Sequence, residues 1–124
     1  LYWLGKLKVE EERYAAAASY LEEAVRAQAD LADGWNLLGF ARLQLGDREG
    51  ARAALDRTLE LDPGRPAAWY NRGLLHFNTG NWEPAVLDLQ RAAELAPDNA
   101  EIGAVLRRAV LQLQAVRRGL QPGG

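Results

Sequence analysis

The sequence predicts an all-α fold of antiparallel helix–turn–helix repeats, on three observations. Shifted against itself by 34 residues, the chain lines up without a gap: Leu4-Gly5 falls on Leu38-Gly39, Trp35 on Trp69, Gly46 on Gly80, and Leu61-Asp62-Pro63 on Leu95-Ala96-Pro97. A fixed period of this length marks a stacked repeat. Ala, Leu, Arg and Glu recur throughout while Val, Ile and Thr are sparse, which favours helix over sheet. Glycine and proline return at the same phase of each period, where a helix must stop.

The period places helices at roughly 1–12, 14–28, 32–45, 48–61, 66–79, 82–95 and 100–118. The first carries Leu1 in the tryptophan column and ends on Glu12-Arg13, where the later periods have Gly46-Asp47 and Gly80-Asn81. A tight turn without glycine is expected to be less well defined. The second helix opens two columns, Ala17/Ala51/Ala85 and Leu21/Leu55/Leu89, and is followed by Ala29 in place of proline. The third holds Trp35 and Gly39. A mid-helix glycine costs about 1 kcal/mol relative to alanine, which is tolerable where the next helix comes too close for a β-carbon. Ala51 and Ala85 are the expected small partners.

Gly46 suits the left-handed residue that ends the third helix, Asp47 the N-cap of the fourth, and Pro63 its stop. Thr58 replaces alanine there. The fifth and sixth helices repeat the plan with Trp69, Gly73, Gly80, Asn81 as N-cap and Pro97, while Arg72 replaces leucine. Pro84 lies in the first turn of the sixth helix, where its missing N–H is harmless. The seventh starts from Asn99 as N-cap. Ile102, Leu106, Ala109, Leu113 and Val116 share one face, and Arg107, Arg108, Arg117 and Arg118 lie largely off it. Gly103 and Arg107 stand in the tryptophan and glycine columns, so this helix reads as a polar-backed cap on the array. Gly119 and Gln121-Pro122-Gly123-Gly124 form a loose tail.

The totals set limits. At 124 residues the chain is one domain's worth. A formal net charge of −2 gives no support to a nucleic-acid or anionic-membrane partner. The absence of cysteine excludes disulfides and thiolate metal sites. No apolar run approaches the roughly 20 residues that span a bilayer. The chain does not begin with methionine and is expected to be a piece of a longer protein, with further repeats before Leu1. Arginine outnumbers lysine 13 to 2, a compositional hint of a GC-rich bacterial source. Bacterial cytoplasm and periplasm both stay open.

The run Trp35-Asn36-Leu37-Leu38-Gly39, Gly46-Asp47, Ala51, Leu55 and Leu59-Glu60-Leu61-Asp62-Pro63 resembles a tetratricopeptide repeat, and Trp69, Gly73, Gly80-Asn81, Ala85, Ala92 and Pro97 repeat it. The resemblance covers residues 1–99 as three repeats, 1–31 (truncated at its start), 32–65 and 66–99, followed by the capping helix 100–118 and the tail 119–124. It implies a right-handed, open-ended α-solenoid whose first helices line a concave groove.

Little in the sequence points to chemistry. His76 is the single histidine; it shares a column with Lys8 and Arg42 and reads as a solvent-facing or rim residue. The hydroxyls Ser19, Thr58 and Thr79 are scattered, with no strained elbow or neighbouring histidine. Glu10-Glu11-Glu12 and Glu22-Glu23 read as solvated helix faces. There is no phosphate loop and no metal-ligand spacing. No catalytic residue, metal or cofactor is expected, and the chain is read as no enzyme.

The groove implied by the resemblance is the candidate site. Its inward positions are Tyr2, Lys6, Val9 and Glu10 from the first repeat. Asp33, Asn36, Phe40, Leu43 and Gln44 follow from the second, and Ala67, Tyr70, Leu74, Phe77 and Asn78 from the third. Phe40, Tyr70, Leu74 and Phe77 make an apolar strip, with Lys6, Asn36, Gln44 and Asn78 as hydrogen-bonding ends, and this suits a peptide or helix of a partner protein. Leu43 and Leu74 also suit simple packing between helices. Relatives that dock chaperone C-termini use a carboxylate clamp, and its positions here are Tyr2, Lys6, Leu37, Ala67 and Asn71. Only Lys6 brings charge, so a clamp is not expected.

The function expected is therefore a protein-interaction module within a larger bacterial protein. The rivals are a structural spacer or scaffold in envelope, pilus or polysaccharide-export assembly, and a regulatory domain fused to an enzyme. Trp3 and Leu7, with nothing upstream to cover them, are expected to drive weak self-association through the N-terminal end.

Overall fold

A computed structural model describes residues 1–119; beyond Gly119 the expected tail lies outside the described residues. Seven helices follow in order: α1 Tyr2–Glu10, α2 Tyr14–Ala27, α3 Ala32–Gln44, α4 Arg48–Leu61, α5 Pro66–Asn78, α6 Trp82–Leu95 and α7 Ala100–Arg117. The described residues contain no strand. The chain divides into two units, Leu1–Pro63 and Gly64–Gly124. In the first, α1 packs on α2, α2 on α3 and α3 on α4, and α1 also touches α3. In the second, α5 packs on α6 and α6 on α7.

One turn closes each first helix of a pair. After α3, Gly46 N–H donates to the Leu43 carbonyl at 3.0 Å and Asp47 N–H to the Arg42 carbonyl at 2.9 Å. After α5 the same two bonds run from Gly80 to Phe77 and from Asn81 to His76. This crossed pair with a left-handed glycine satisfies carbonyls that the helix end leaves open, and Gly46 and Gly80 have φ of 79° and 76°. The turn after α1 is as well formed. Glu12 donates to Val9 and Arg13 to Lys8, with Glu12 itself at φ 59°. The missing glycine thus leaves the turn intact and moves its cost onto a glutamate.

The caps divide. Asp47 accepts from Gly50 N–H at 3.0 Å and Asn99 from Ile102 N–H at 3.1 Å. Asn81 occupies the N-cap position of α6 without a side-chain cap bond; its amide donates to Thr79 Oγ1 instead.

The column glycines are close-approach positions, but their partners differ from those expected. A β-carbon on Gly5, Gly39 or Gly73 would lie 2.6, 2.8 or 2.8 Å from Cγ of Leu21, Leu55 or Leu89. The leucine column fills the space, and Ala17 and Ala51 contribute carbonyl oxygens at 3.5 Å. Leu21, Leu55 and Leu89 are wholly buried, so glycine in one helix and leucine in the other act as a single packing unit. Thr58, also wholly buried, satisfies its hydroxyl by donating to the Ala54 carbonyl at 2.9 Å.

Two apolar clusters result. In the first unit Ala17, Ala18, Leu21, Val25, Leu38, Ala41 and Ala54 are joined by Tyr2, Val9, Tyr14, Trp35 and Leu37. In the second, Ala85, Val86, Leu89, Val105 and Ala109 are joined by Tyr70, Leu74, Phe77, Leu106, Val110 and Leu113. On α7, Ile102 and Ala109 are buried as expected, whereas Val105 takes the core place expected of Val116, which is 43% exposed.

Candidate functional site

In the first unit the expected site residues come from α1 and α3. Tyr2 is half-buried, edge-on to Trp3 at 5.3 Å between ring centroids, and Lys6 Nζ lies 5.1 Å from the same indole. Trp3 is itself 71% exposed, beside Leu1, Leu4 and Leu7. Phe40 is half-buried and packs edge-on to Tyr14 at the start of α2, with centroids 5.9 Å apart. Asn36 is half-buried, and its amide oxygen is buried with no hydrogen-bond partner among the described residues. Gln44 is exposed on the last turn of α3.

In the second unit Tyr70, Leu74 and Phe77 are half-buried in one cluster with α6 and α7. Tyr70 donates its phenol proton to Glu101 Oε1 at 2.9 Å. Burial first, and then that hydrogen bond and the charge of Glu101, push the phenol up to about 12, so it stays a donor at neutral pH. Phe77 meets Trp82 edge-on at 5.3 Å, and the Arg108 guanidinium carbon lies 5.3 Å from its centroid. Asn78 is exposed at the end of α5. The strip on α5 is thus shared with Glu101 and Arg108 of α7, which are not among the expected site residues. The available signal was their spacing: seven residues put them two turns apart on one face.

His76 corrects a second expectation. It is 8% exposed, not at the rim, because α6 brings Asp88 against it. Nε2 of His76 is 3.6 Å from Asp88 Oδ2, and Arg72 donates through Nε and Nη2 to both oxygens of Asp88 at 2.9 Å. Arg72 also lies over the Trp69 ring at 5.1 Å. This is a buried polar cluster in a place that holds leucine and alanine one period earlier. The described residues contain no group of acidic and histidine side chains disposed to hold a metal ion. None of their helices is long and apolar enough to cross a membrane.

An open cleft of about 290 Å³ lies between α2 and α3, lined by Glu22, Val25, Arg26, Trp35, Leu38 and Arg42. Arg42 bridges its edge, donating to Glu22 at 3.4 Å and to the Gly50 carbonyl at 3.1 Å.

Comparison with known proteins fits this geometry. Residues 8–75 and 51–110 each match the tetratricopeptide repeat family. The human FK506-binding protein-like is 34% identical over 86 residues, covering 69% of this chain and 25% of that protein. The Hsp70-Hsp90 organizing protein of Triticum aestivum is 34% identical over 91 residues, covering 73% and 13%. This chain therefore spans a quarter or less of either relative. Among solved structures, the first repeat domain of Spaghetti (RPAP3), bound to the HSP90 peptide SRMEEVD, superposes with a TM-score of 0.87 at 21% identity over 91% of this chain and 90% of that one. UNC-45 of C. elegans, in complex with an Hsp90 peptide, gives 0.83 at 28% identity over 90% and 13%. With its helix pairs, its glycine–leucine contacts and its glycine turns alike, the chain belongs to the tetratricopeptide repeat family.

Proposed function

We propose that the chain is a protein-interaction module that holds a peptide or helical segment of a partner against the faces of its first helices. In the first unit Asn36 and Phe40 on α3, and in the second Tyr70, Leu74 and Phe77 on α5, are the contact residues, each unit taken by itself. Tyr2, Lys6, Gln44 and Asn78 supply the polar margin. The observation that carries the reading is the α5 strip, three large apolar side chains left half-open on a face where a core needs no tyrosine. Partner-peptide complexes of related domains add support. The same reading gives the chain no catalytic role, since His76 is committed to a buried contact with Asp88.

Each hot-spot aromatic typically contributes about 2 kcal/mol or more, roughly thirty-fold in affinity. A partner captured by the wild type is therefore expected to be lost by a Phe40→Ala/Tyr70→Ala variant whose helical dichroism is unchanged. Undiminished capture by that folded variant sinks the proposal. The C-terminal carboxylate of SRMEEVD is expected to find no clamp here. Tyr2, Leu37 and Ala67 stand where a carboxylate clamp has its polar groups, and Asn71 is 8% exposed.

The exposed Leu1, Trp3, Leu4 and Leu7 give α1 a second role as a weak self-association face. Light scattering across a concentration series is expected to show association in the wild type and none in Trp3→Glu/Leu7→Glu. Association that survives both changes removes α1 from this role.

A second reading, an assembly scaffold in a bacterial polysaccharide system, draws on the Pseudomonas fluorescens cellulose synthase operon protein C. It is 29% identical over 126 residues, covering 96% of this chain and 10% of that protein. On that reading the Phe40→Ala/Tyr70→Ala variant retains every measurable association.

A further inference from the structure

The contacts between α5 and α7 define a direction. Tyr70 meets Glu101 and Phe77 meets Arg108, and both pairs are 31 residues apart in sequence. Equal offsets mean that α5 and α7 run parallel. The two contacts lie seven residues apart along each helix, roughly 10 Å at 1.5 Å per residue. Leu74 lies between the two aromatics on α5, and Ala104 between the two charges on α7. The face is an apolar floor with a carboxylate at one end and a guanidinium at the other.

The ends are not equivalent. Glu101 already accepts the Tyr70 phenol on one of its oxygens. Arg108 is exposed, and its guanidinium carbon lies over the Phe77 ring at 5.3 Å, a contact with the π-face that uses none of its N–H donors. Among the described residues no carboxylate forms an ion pair with Arg108, nor with Arg107 or Arg117 on the same helix or Arg118 at its C-cap. Leu111, one turn beyond Arg108, is 64% exposed. A guanidinium held over a ring, with donors open beside an apolar floor, is complementary to a carboxylate in two-point contact.

We infer that the segment seated on the α5/α7 face carries an acidic side chain, received by Arg108, next to an apolar side chain that rests on Leu74 and Phe77. The acidic residue sits at the Arg108 end of the face, away from Glu101, so the segment lies in one direction only. This rests on the reading of α5 as a partner-binding face and adds the chemistry of what it selects. A hydrogen bond to a charged group is worth about 1.5–3 kcal/mol, so removing Arg108 lowers affinity by roughly ten- to a hundred-fold.

Random peptides displayed on phage, selected in parallel on the wild-type chain and on Arg108→Glu, test it. Because Arg108 is exposed on α7, both proteins are expected to give the same helical dichroism, and Arg108→Gln serves as the milder variant in affinity measurements. The expected result is a wild-type pool rich in Asp or Glu beside an apolar residue. Its members weaken at least tenfold against Arg108→Gln, and the Arg108→Glu pool turns to Lys and Arg. Peptides that require Tyr70 and Leu74 but show no acidic preference, or that bind Arg108→Glu unchanged, overturn the inference and leave the groove reading standing. If no peptides emerge, or if those that emerge ignore Tyr70→Ala and Leu74→Ala, the groove reading falls and this inference with it.

Discussion

The pair α3/α4 and the pair α5/α6 have the same backbone and different centres. One period apart, Leu38 becomes Arg72, Arg42 becomes His76 and Ala54 becomes Asp88. In the first pair Leu38 and Ala54 are wholly buried, and Arg42 reaches outward to the Gly50 carbonyl and Glu22. In the second, the same positions hold a carboxylate gripped at both oxygens by Arg72 and flanked by His76. The glycine–leucine contact and the crossed turn bonds are unchanged between them. The repeat therefore does not depend on apolar residues in the Leu38 and Ala54 columns; it depends on the glycine, the leucine and the turn.

The two solutions should differ in how they fail. Dehydrating a buried ion pair offsets most of its Coulomb attraction, so replacing the pair by apolar groups is often neutral or stabilising, while removing one partner is costly. Asp88→Ala takes away the carboxylate that Arg72 and His76 both lean on. It is expected to lower stability by about 3 kcal/mol, the low end for such changes because the Arg72 side chain is 22% exposed. Transplanting the first pair's centre whole, as Arg72→Leu/His76→Arg/Asp88→Ala, is expected to stay within about 1 kcal/mol of the wild type or to exceed it. Urea unfolding of the two variants decides. A triple variant weaker than Asp88→Ala would show that the second pair is built around its ions.

Much of this architecture was legible in the sequence, and the exceptions have reasons. Helix order, the left-handed Gly46 and Gly80 and the Asp47 and Asn99 caps follow from local rules that act within one turn. What a residue meets from a neighbouring helix does not follow from such rules. Along its own column, with Lys8 and Arg42, His76 reads as a rim residue. The useful signal was the simultaneous appearance of Arg72 in a leucine column and Asp88 in the column of Ala54, two charges that a core admits only together. The candidate strip was legible as composition, since Tyr70, Leu74 and Phe77 do fall on one face. For Glu101 and Arg108 the seven-residue spacing shows only that they share a face; which helix they meet depends on the parallel register of α5 and α7, which no single helix encodes.

The smallest expected effect concerns the turns, where the first repeat carries glutamate at the left-handed position that is glycine in the other two. Glu12, Gly46 and Gly80 occupy one column and make the same hydrogen bonds, at φ of 59°, 79° and 76°. For a residue with a β-carbon the left-handed region costs about 1–2 kcal/mol, while glycine enters it freely. Glu12→Gly removes that cost. It also adds freedom to the unfolded chain, which works against folding by about 0.5–1 kcal/mol. Glu12 is exposed and has no side-chain bond among those described, so no other contribution is lost. The difference leaves a net gain of about 0.5 kcal/mol. The reciprocal change Gly46→Glu has open space around it, with nothing within 4 Å of the added β-carbon, so it is expected to lose a similar amount through φ alone. Urea midpoints moving in opposite directions at constant slope would establish the first turn as a strained copy of the other two. A Glu12→Gly variant less stable than the wild type would mean that glutamate contributes to this turn through something other than its backbone.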